Sequence, residues 1–205
     1  MAVAALAAAA VLAGCVSQTG SKPAPAAAGG PAKPTISSAA ASAATAGGVV
    51  CGFEDAAEAK ACAAIVDNAT VEQAKGKGVT QGANCLRFTA KKGADYASFC
   101  LGADAVARVN GAKTILADVY TDEGKPVELR FQLWDKHSVD SASRCTLPQD
   151  LKQGQQTLKW DVAAPDRNSG HGQLNMKELT KVKFYIAPPA DHDVVIYFDN
   201  LRVTK

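Results

Sequence analysis

No stretch of this sequence is long and apolar enough to cross a bilayer as a helix. Its greasiest run, Val3 to Gly14, holds about a dozen residues, whereas a roughly 30 Å hydrocarbon core needs about 20. An excess of one charge is also missing: 22 Lys and Arg stand against 20 Asp and Glu, for a formal net charge of +2. With no Lys/Arg stripe, the electrostatic footprint of a nucleic-acid binder is excluded. No CxxC pair occurs, which argues against a zinc framework. Histidine is scarce. His137, His171 and His192 lie in polar, loop-like stretches, and none stands in a pattern that sets a base beside a nucleophile. The "NSGHGQ" around His171 lacks the strand–turn–helix setting of a phosphate cradle or a nucleophile elbow. Asp118, Asp135 and Asp161 are the scattered carboxylates that any Asp-rich all-β domain offers, so they single out no glycosidase pair. The expectation is a non-catalytic protein.

What is present begins at the N-terminus. The Val3–Gly14 run has the length of a signal-peptide core and ends in small residues where a peptidase must fit. Leu12, Ala13, Gly14 and Cys15 resemble a bacterial lipobox, although no Lys or Arg precedes the run. That resemblance implies a signal peptide over residues 1–14 and lipid on Cys15, with two or three acyl chains enough for stable membrane residence. Val16 follows, where an Asp would point to the inner membrane; the expected place is the cell envelope, at the outer membrane of a two-membrane cell. From Val16 to about Gly48 the chain is nearly all Ala, Ser, Gly, Pro and Thr. Such a segment buries too little apolar surface to offset its ordering entropy. Residues 15–48 therefore read as a lipidated cysteine and an extended tether.

Residues 49–205 have one domain's length. Their periodicity is mostly two, punctuated by Gly, Asp, Asn and Pro. Strands are expected at Asn84–Thr89, Tyr96–Leu101, Thr114–Tyr120, Val127–Trp134, Thr157–Val162, Val182–Ile186 and Val194–Val203. Helical signal is weak: "EDAAEAKACAAIV" suits a short helix or a long loop, and "NMKELTKV" a turn or so. This pattern predicts an all-β fold, a two-sheet antiparallel sandwich or jelly roll. Along one strand Leu129, Phe131 and Leu133 share the core face and Arg130, Gln132 and Trp134 the other. Leu158, Trp160 and Val162 are in phase, so Trp160 belongs to the core.

The ordered phrases "CGFEDA", "VTQGANCLRF", "ILADVYTDEGKPVELRFQLWD", "LKQGQQTLKWDV", "LTKVKFYIAPP" and "VVIYFDNLRV" resemble a galactose-binding-like jelly roll of the carbohydrate-binding-module type. The resemblance spans essentially the whole folded part. It implies a sandwich that binds polysaccharide or cell-wall glycan, although such folds also serve as protein contacts and spacers. It further implies a structural calcium ion held by Glu54 of "FED" and Asp199 of "FDN", a hard cation that would offset two neighbouring carboxylates. The competing reading is that both simply face solvent or accept turn hydrogen bonds.

For sugar, the candidate platform is Arg130, Gln132 and Trp134, with Lys183 and Tyr185 alternating likewise on a later strand. An aromatic ring among amides and cations suits a pyranose, yet polar residues line the outer face of any sandwich strand. The alternative partner is another envelope protein, the chain then being a structural or adaptor lipoprotein. Five cysteines remain after Cys15, namely Cys51, Cys62, Cys85, Cys100 and Cys145. An envelope setting permits disulfides. Cys85 and Cys100 are symmetric about a turn at Lys92 and Gly93, so a hairpin would bridge them. Cys51 is expected to pair with Cys62 or Cys145, leaving one thiol over.

Overall fold

A computed structural model describes residues 47–205. The leader, Cys15 and nearly all of the expected tether lie outside the described residues. Eleven strands and two short helices follow in the order β1 (Val49–Cys51), α1 (Ala56–Cys62), β2 (Ala63–Asp67), β3 (Ala69–Ala74), β4 (Cys85–Ala90), β5 (Ser98–Leu101), α2 (Ala103–Val109), β6 (Thr114–Thr121), β7 (Val127–Asp135), β8 (Cys145–Leu151), β9 (Gly154–Asp161), β10 (Leu179–Ile186) and β11 (Val194–Thr204). None of the described helices is long and apolar enough to cross a membrane.

The strands form two antiparallel sheets. One has the order β3-β4-β11-β6-β9, with β1 also on β11; the other is β2-β5-β10-β7-β8. The expected β-sandwich is therefore what the chain forms. β11 serves two partners on one edge. Val194–Phe198 pairs with β4, and beyond a bulge at Asn200 (φ 48°) the strand pairs with β1 through Leu201 and Arg202.

The period-two pattern decides which side chains fill the space between the sheets. Leu129, Phe131 and Leu133 point inward with Leu86, Phe88, Ile115, Val119, Val182, Ile196 and Phe198. Aromatic rings bridge the layers at the centre: Phe131 lies 4.7 Å from Trp160 and 5.0 Å from Phe184, and Phe99 5.1 Å from Phe184. Trp160 is core, as its phase requires.

The cysteine pairing differs in part from expectation. Cys51 bonds Cys62, joining β1 to the end of α1, while Cys85, Cys100 and Cys145 are free and buried. The Cys85–Cys100 bridge does not form because β4 and β5 are not a hairpin. The 91–97 turn carries the chain from one sheet to the other. Leu86 and Phe88 of β4, and Phe99 and Leu101 of β5, take the core positions. Cys85 and Cys100 therefore fall on opposite outer faces. "EDAAEAKACAAIV" is neither wholly helix nor loop: Asp55 caps α1 through Glu58 N, and the helix gives way to β2 at Ala63.

Candidate functional site

The outer face of the β2-β5-β10-β7-β8 sheet gathers all five expected sugar contacts. Residues two apart on a strand share a face, and the registers align them across it. One row runs Ile65, Cys100, Lys183, Gln132, Thr146; the next runs Asp67, Ser98, Tyr185, Arg130, Pro148; Lys181 lies opposite Trp134. β7 and β10 are central strands, so neighbours on both sides hold these backbones.

Two of the five are nearly buried within the face. Gln132 is 3% and Tyr185 4% exposed. Gln132 Nε2 donates to the Tyr185 hydroxyl and to Thr146 Oγ1, both at 3.0 Å. This cross-strand bridge fixes the amide and the phenol before any ligand arrives. Over it lie cations: Arg130 is 5.9 Å and Lys183 5.4 Å from the Tyr185 ring centroid, and Lys181 4.9 Å and Arg144 5.1 Å from that of Trp134. These are cation–π distances. Arg130 is also paired with Glu128 on its own strand. Burial, with the nearby charges of Lys181 and Arg144 adding to it, holds the Lys183 ammonium below its ordinary pKa.

Periodicity did not reveal Tyr96. It sits at positive φ (54°) in the turn before β5, is 58% exposed, and its ring lies 6.0 Å from that of Tyr185. Asp95, Tyr96, Arg130, Ala187, Pro188 and Pro189 line a cleft of about 240 Å³ at this end of the face. Lys181 was legible, being in phase with Lys183 and Tyr185; Arg144, just before β8, carried no such signal. A polar wall closes the Trp134 end. Asn168 Nδ2 donates to Thr146 Oγ1 (3.0 Å) and Ser141 O (2.7 Å), and its backbone N–H to Arg144 O (2.7 Å). Asp135, pointing inward at the end of β7, holds Arg167 Nη2 at 2.6 Å and Asn175 N at 2.9 Å. Burial alone would raise its pKa. The Asn175 N–H, Arg167, Ser138 and His137 N–H outweigh burial and hold the carboxyl at about 2.

The carboxylates considered for catalysis do not converge. Asp118 belongs to β6 in one sheet, paired with Arg202 at 3.0 Å, whereas Asp135 belongs to β7 in the other. Asp161 is exposed and accepts from Ala163 N.

Glu54 and Asp199 are tied to opposite ends of one loop. Asp199 Oδ2 accepts from Thr80 N (2.6 Å), Thr80 Oγ1 (2.9 Å) and Gln81 N (2.8 Å), while Glu54 Oε2 accepts from Ala83 N (2.9 Å). Gly82 (φ +67°) lets the loop lie against Glu54; a Cβ there would meet Glu54 Oε1 at 1.9 Å. Asn84 Nδ2 donates to Glu54 O (2.7 Å), and Asn84 Oδ1 is buried with no donor. Among the described residues no group of three or more His, Cys, Asp or Glu is placed to hold a metal ion. Asp199 Oδ2 is spent on hydrogen-bond donors, which do not fit a cation, and of the other oxygens here the buried Asn84 Oδ1 is left without a donor.

No family model matches the sequence, and no curated protein matches it. Solved structures do. An exo-beta-agarase matches with a TM-score of 0.52 and 13% identity over 68% of this chain and 22% of that one. The agarase AgWH50C matches at 0.51 and 11% over 75% and 25%. A family 11 carbohydrate-binding module from Clostridium thermocellum, in complex with a beta-1,3-1,4-mixed-linked tetrasaccharide, matches at 0.47 and 14% over 67% and 84%. The chain thus spans about a quarter or less of either agarase, and the two agarase likenesses show the fold.

Proposed function

We propose that the sandwich binds carbohydrate, without catalysis, on the outer face of its β2-β5-β10-β7-β8 sheet. The observation that carries this reading is the preset Gln132–Tyr185 pair between Trp134 and Tyr96. It sets two aromatic rings for stacking on either side of fixed amide and hydroxyl groups, which suits a run of pyranose units. The fold's occurrence within two agarases supports a polysaccharide setting. Retention would be the protein's role. Lipid on Cys15 fixes it in the envelope, outer membrane first, residues 16–48 give reach, and the sheet captures glycan.

The test is affinity electrophoresis of the 47–205 domain through gels containing a panel of soluble polysaccharides, alongside the Trp134→Ala variant. Retardation by at least one glycan, lost in the variant, is expected. If nothing is retained and Trp134→Ala changes nothing, the adaptor reading replaces this one.

The calcium ion belongs to the same proposal. Glu54 and the orphaned Asn84 oxygen would hold it, Asp199 joining only by releasing donors, and its work would be to pin the 80–84 loop against the first and last strands. Calcium added to chelator-stripped protein should raise Tm, and Glu54→Gln should remove that rise. An unchanged Tm rejects the ion.

A further inference from the structure

We propose that the saccharide held on this face is anionic, its carboxylate or sulfate seated over Lys181, Lys183 and Arg144 beside Trp134. The inference rests on the carbohydrate reading and deepens it. The charges on the face are sorted by position. The Lys183 row of Ile65, Cys100, Lys183, Gln132 and Thr146 contains no acid, and neither does the Lys181–Trp134 pair. The acids stand to either side: Asp67, in the adjoining Tyr185 row, acts on Lys183 through space, Asp140 acts likewise on Arg144, and Glu128 and Asp150 are opposite each other at the far end, where Glu128 engages Arg130. Among the described residues, Lys181, Lys183 and Arg144 form no ion pair, although the chain forms nine contacts of that kind.

Three neighbouring cations without a close ion-pair partner repel one another, and Asp67 and Asp140, which act on Lys183 and Arg144 only through space, offset that in part. Lys183 is half-buried and Arg144 Nε is shut away with no acceptor, so bulk water screens this cluster only in part. A neutral sugar would stack on Trp134 without relieving the crowding. A sugar bearing a carboxylate or sulfate relieves it and accepts from the ammonium and guanidinium donors. The Tyr96–Arg130 end, where Glu128 engages Arg130, is left for uncharged ring positions.

Matched polysaccharide pairs test this on the full chain. Polygalacturonate is compared with its fully methyl-esterified form, and κ-carrageenan with its desulfated product, by isothermal titration at low and moderate salt. The charged member of at least one pair should bind about tenfold tighter, and the preference should shrink with salt. The pair showing preference identifies carboxylate or sulfate as the group read. Lys181→Gln and Lys183→Gln should each cut that affinity about fivefold without lowering Tm. Equal binding of both members, indifferent to salt and to both substitutions, overturns the inference and leaves carbohydrate binding standing. Retention of no polysaccharide at all overturns both. Polyglutamate binding as tightly as the charged glycans, unaffected by Trp134→Ala, would reduce the face to an ion exchanger and also overturn it.

Discussion

Asp135, buried, and Arg167, partly buried, form an ion pair, Nη2 to Oδ2 at 2.6 Å, that locks the loops walling the Trp134 end of the candidate face. The same guanidinium donates to Ser143 O, and Asp135 also accepts from His137 N, Ser138 Oγ and Asn175 N. One carboxylate therefore organises both the 136–144 and the 165–175 segments. Arg167→Met should cost about 2–3 kcal/mol, the order of a lost charge-assisted hydrogen bond to a carboxylate that keeps its other donors. Chemical denaturation checks it.

The same carboxyl makes stability depend on acid. Its pKa falls from an ordinary 3.8 to about 2 on folding. A depressed folded pKa contributes stability that is present above the unfolded value and lost as pH falls towards the folded one. The shift corresponds to about 2 kcal/mol, so ΔG of unfolding should drop by that order between pH 4 and pH 2, and much less in Asp135→Asn. Urea titrations across that range measure it.

Tyr185→Phe separates the hydroxyl from the ring. It leaves Gln132 Nε2 with Thr146 alone and removes a nearly buried hydrogen bond, at about 1 kcal/mol of stability. Glycan affinity should fall about three- to tenfold, the ring still in place, whereas Trp134→Ala should abolish measurable binding. Titration calorimetry on the two variants distinguishes them.

The Cys51–Cys62 bond closes a short loop, with a sequence separation of 11. Loop entropy assigns such a bridge about 2–3 kcal/mol, so reduction or a Cys51→Ser, Cys62→Ser double variant should lower stability by that order. The comparison is a guanidinium melt with and without reductant.

The remaining thiols of the described residues should be inert in the native state. Burial, then Asp199 and Glu54, raises Cys85 to about 11; burial, then Asp166, raises Cys145 to about 11; and burial raises Cys100. Thiolate is the reactive form. Ellman's reagent at pH 8 should label the native 47–205 domain slowly and release three equivalents on denaturation.

Much of this architecture is legible in the sequence where strands are long and half-buried. β7 alternates because one face meets the core and the other is open, so both the Leu129–Phe131–Leu133 stripe and the Arg130–Gln132–Trp134 stripe can be read directly. β2, β3 and β8 cannot be read this way. They are edge strands with mixed exposure, and "CTLPQDL" even contains Pro148, which an edge tolerates and a central strand does not. The Cys85–Cys100 error came from treating two neighbouring strands as a hairpin. Adjacency in sequence does not say that the next strand stays in the same sheet. Tyr96 and Arg144 escaped for a related reason: they sit in turns, where position depends on backbone geometry and not on a repeat.

The shared edge of β11 has a mechanical meaning. A pull on the chain ahead of Val49 is borne first by β1, whose three residues hold the last strand at Leu201 and Arg202. Those few bonds would peel early, and the covalent link from Cys51 would then pass the load to Cys62, the last residue of α1. Cys62 is followed directly by β2, the edge strand of the β2-β5-β10-β7-β8 sheet, so the bond ties the opening strand of one layer to the rim of the layer that presents Trp134 and Tyr185.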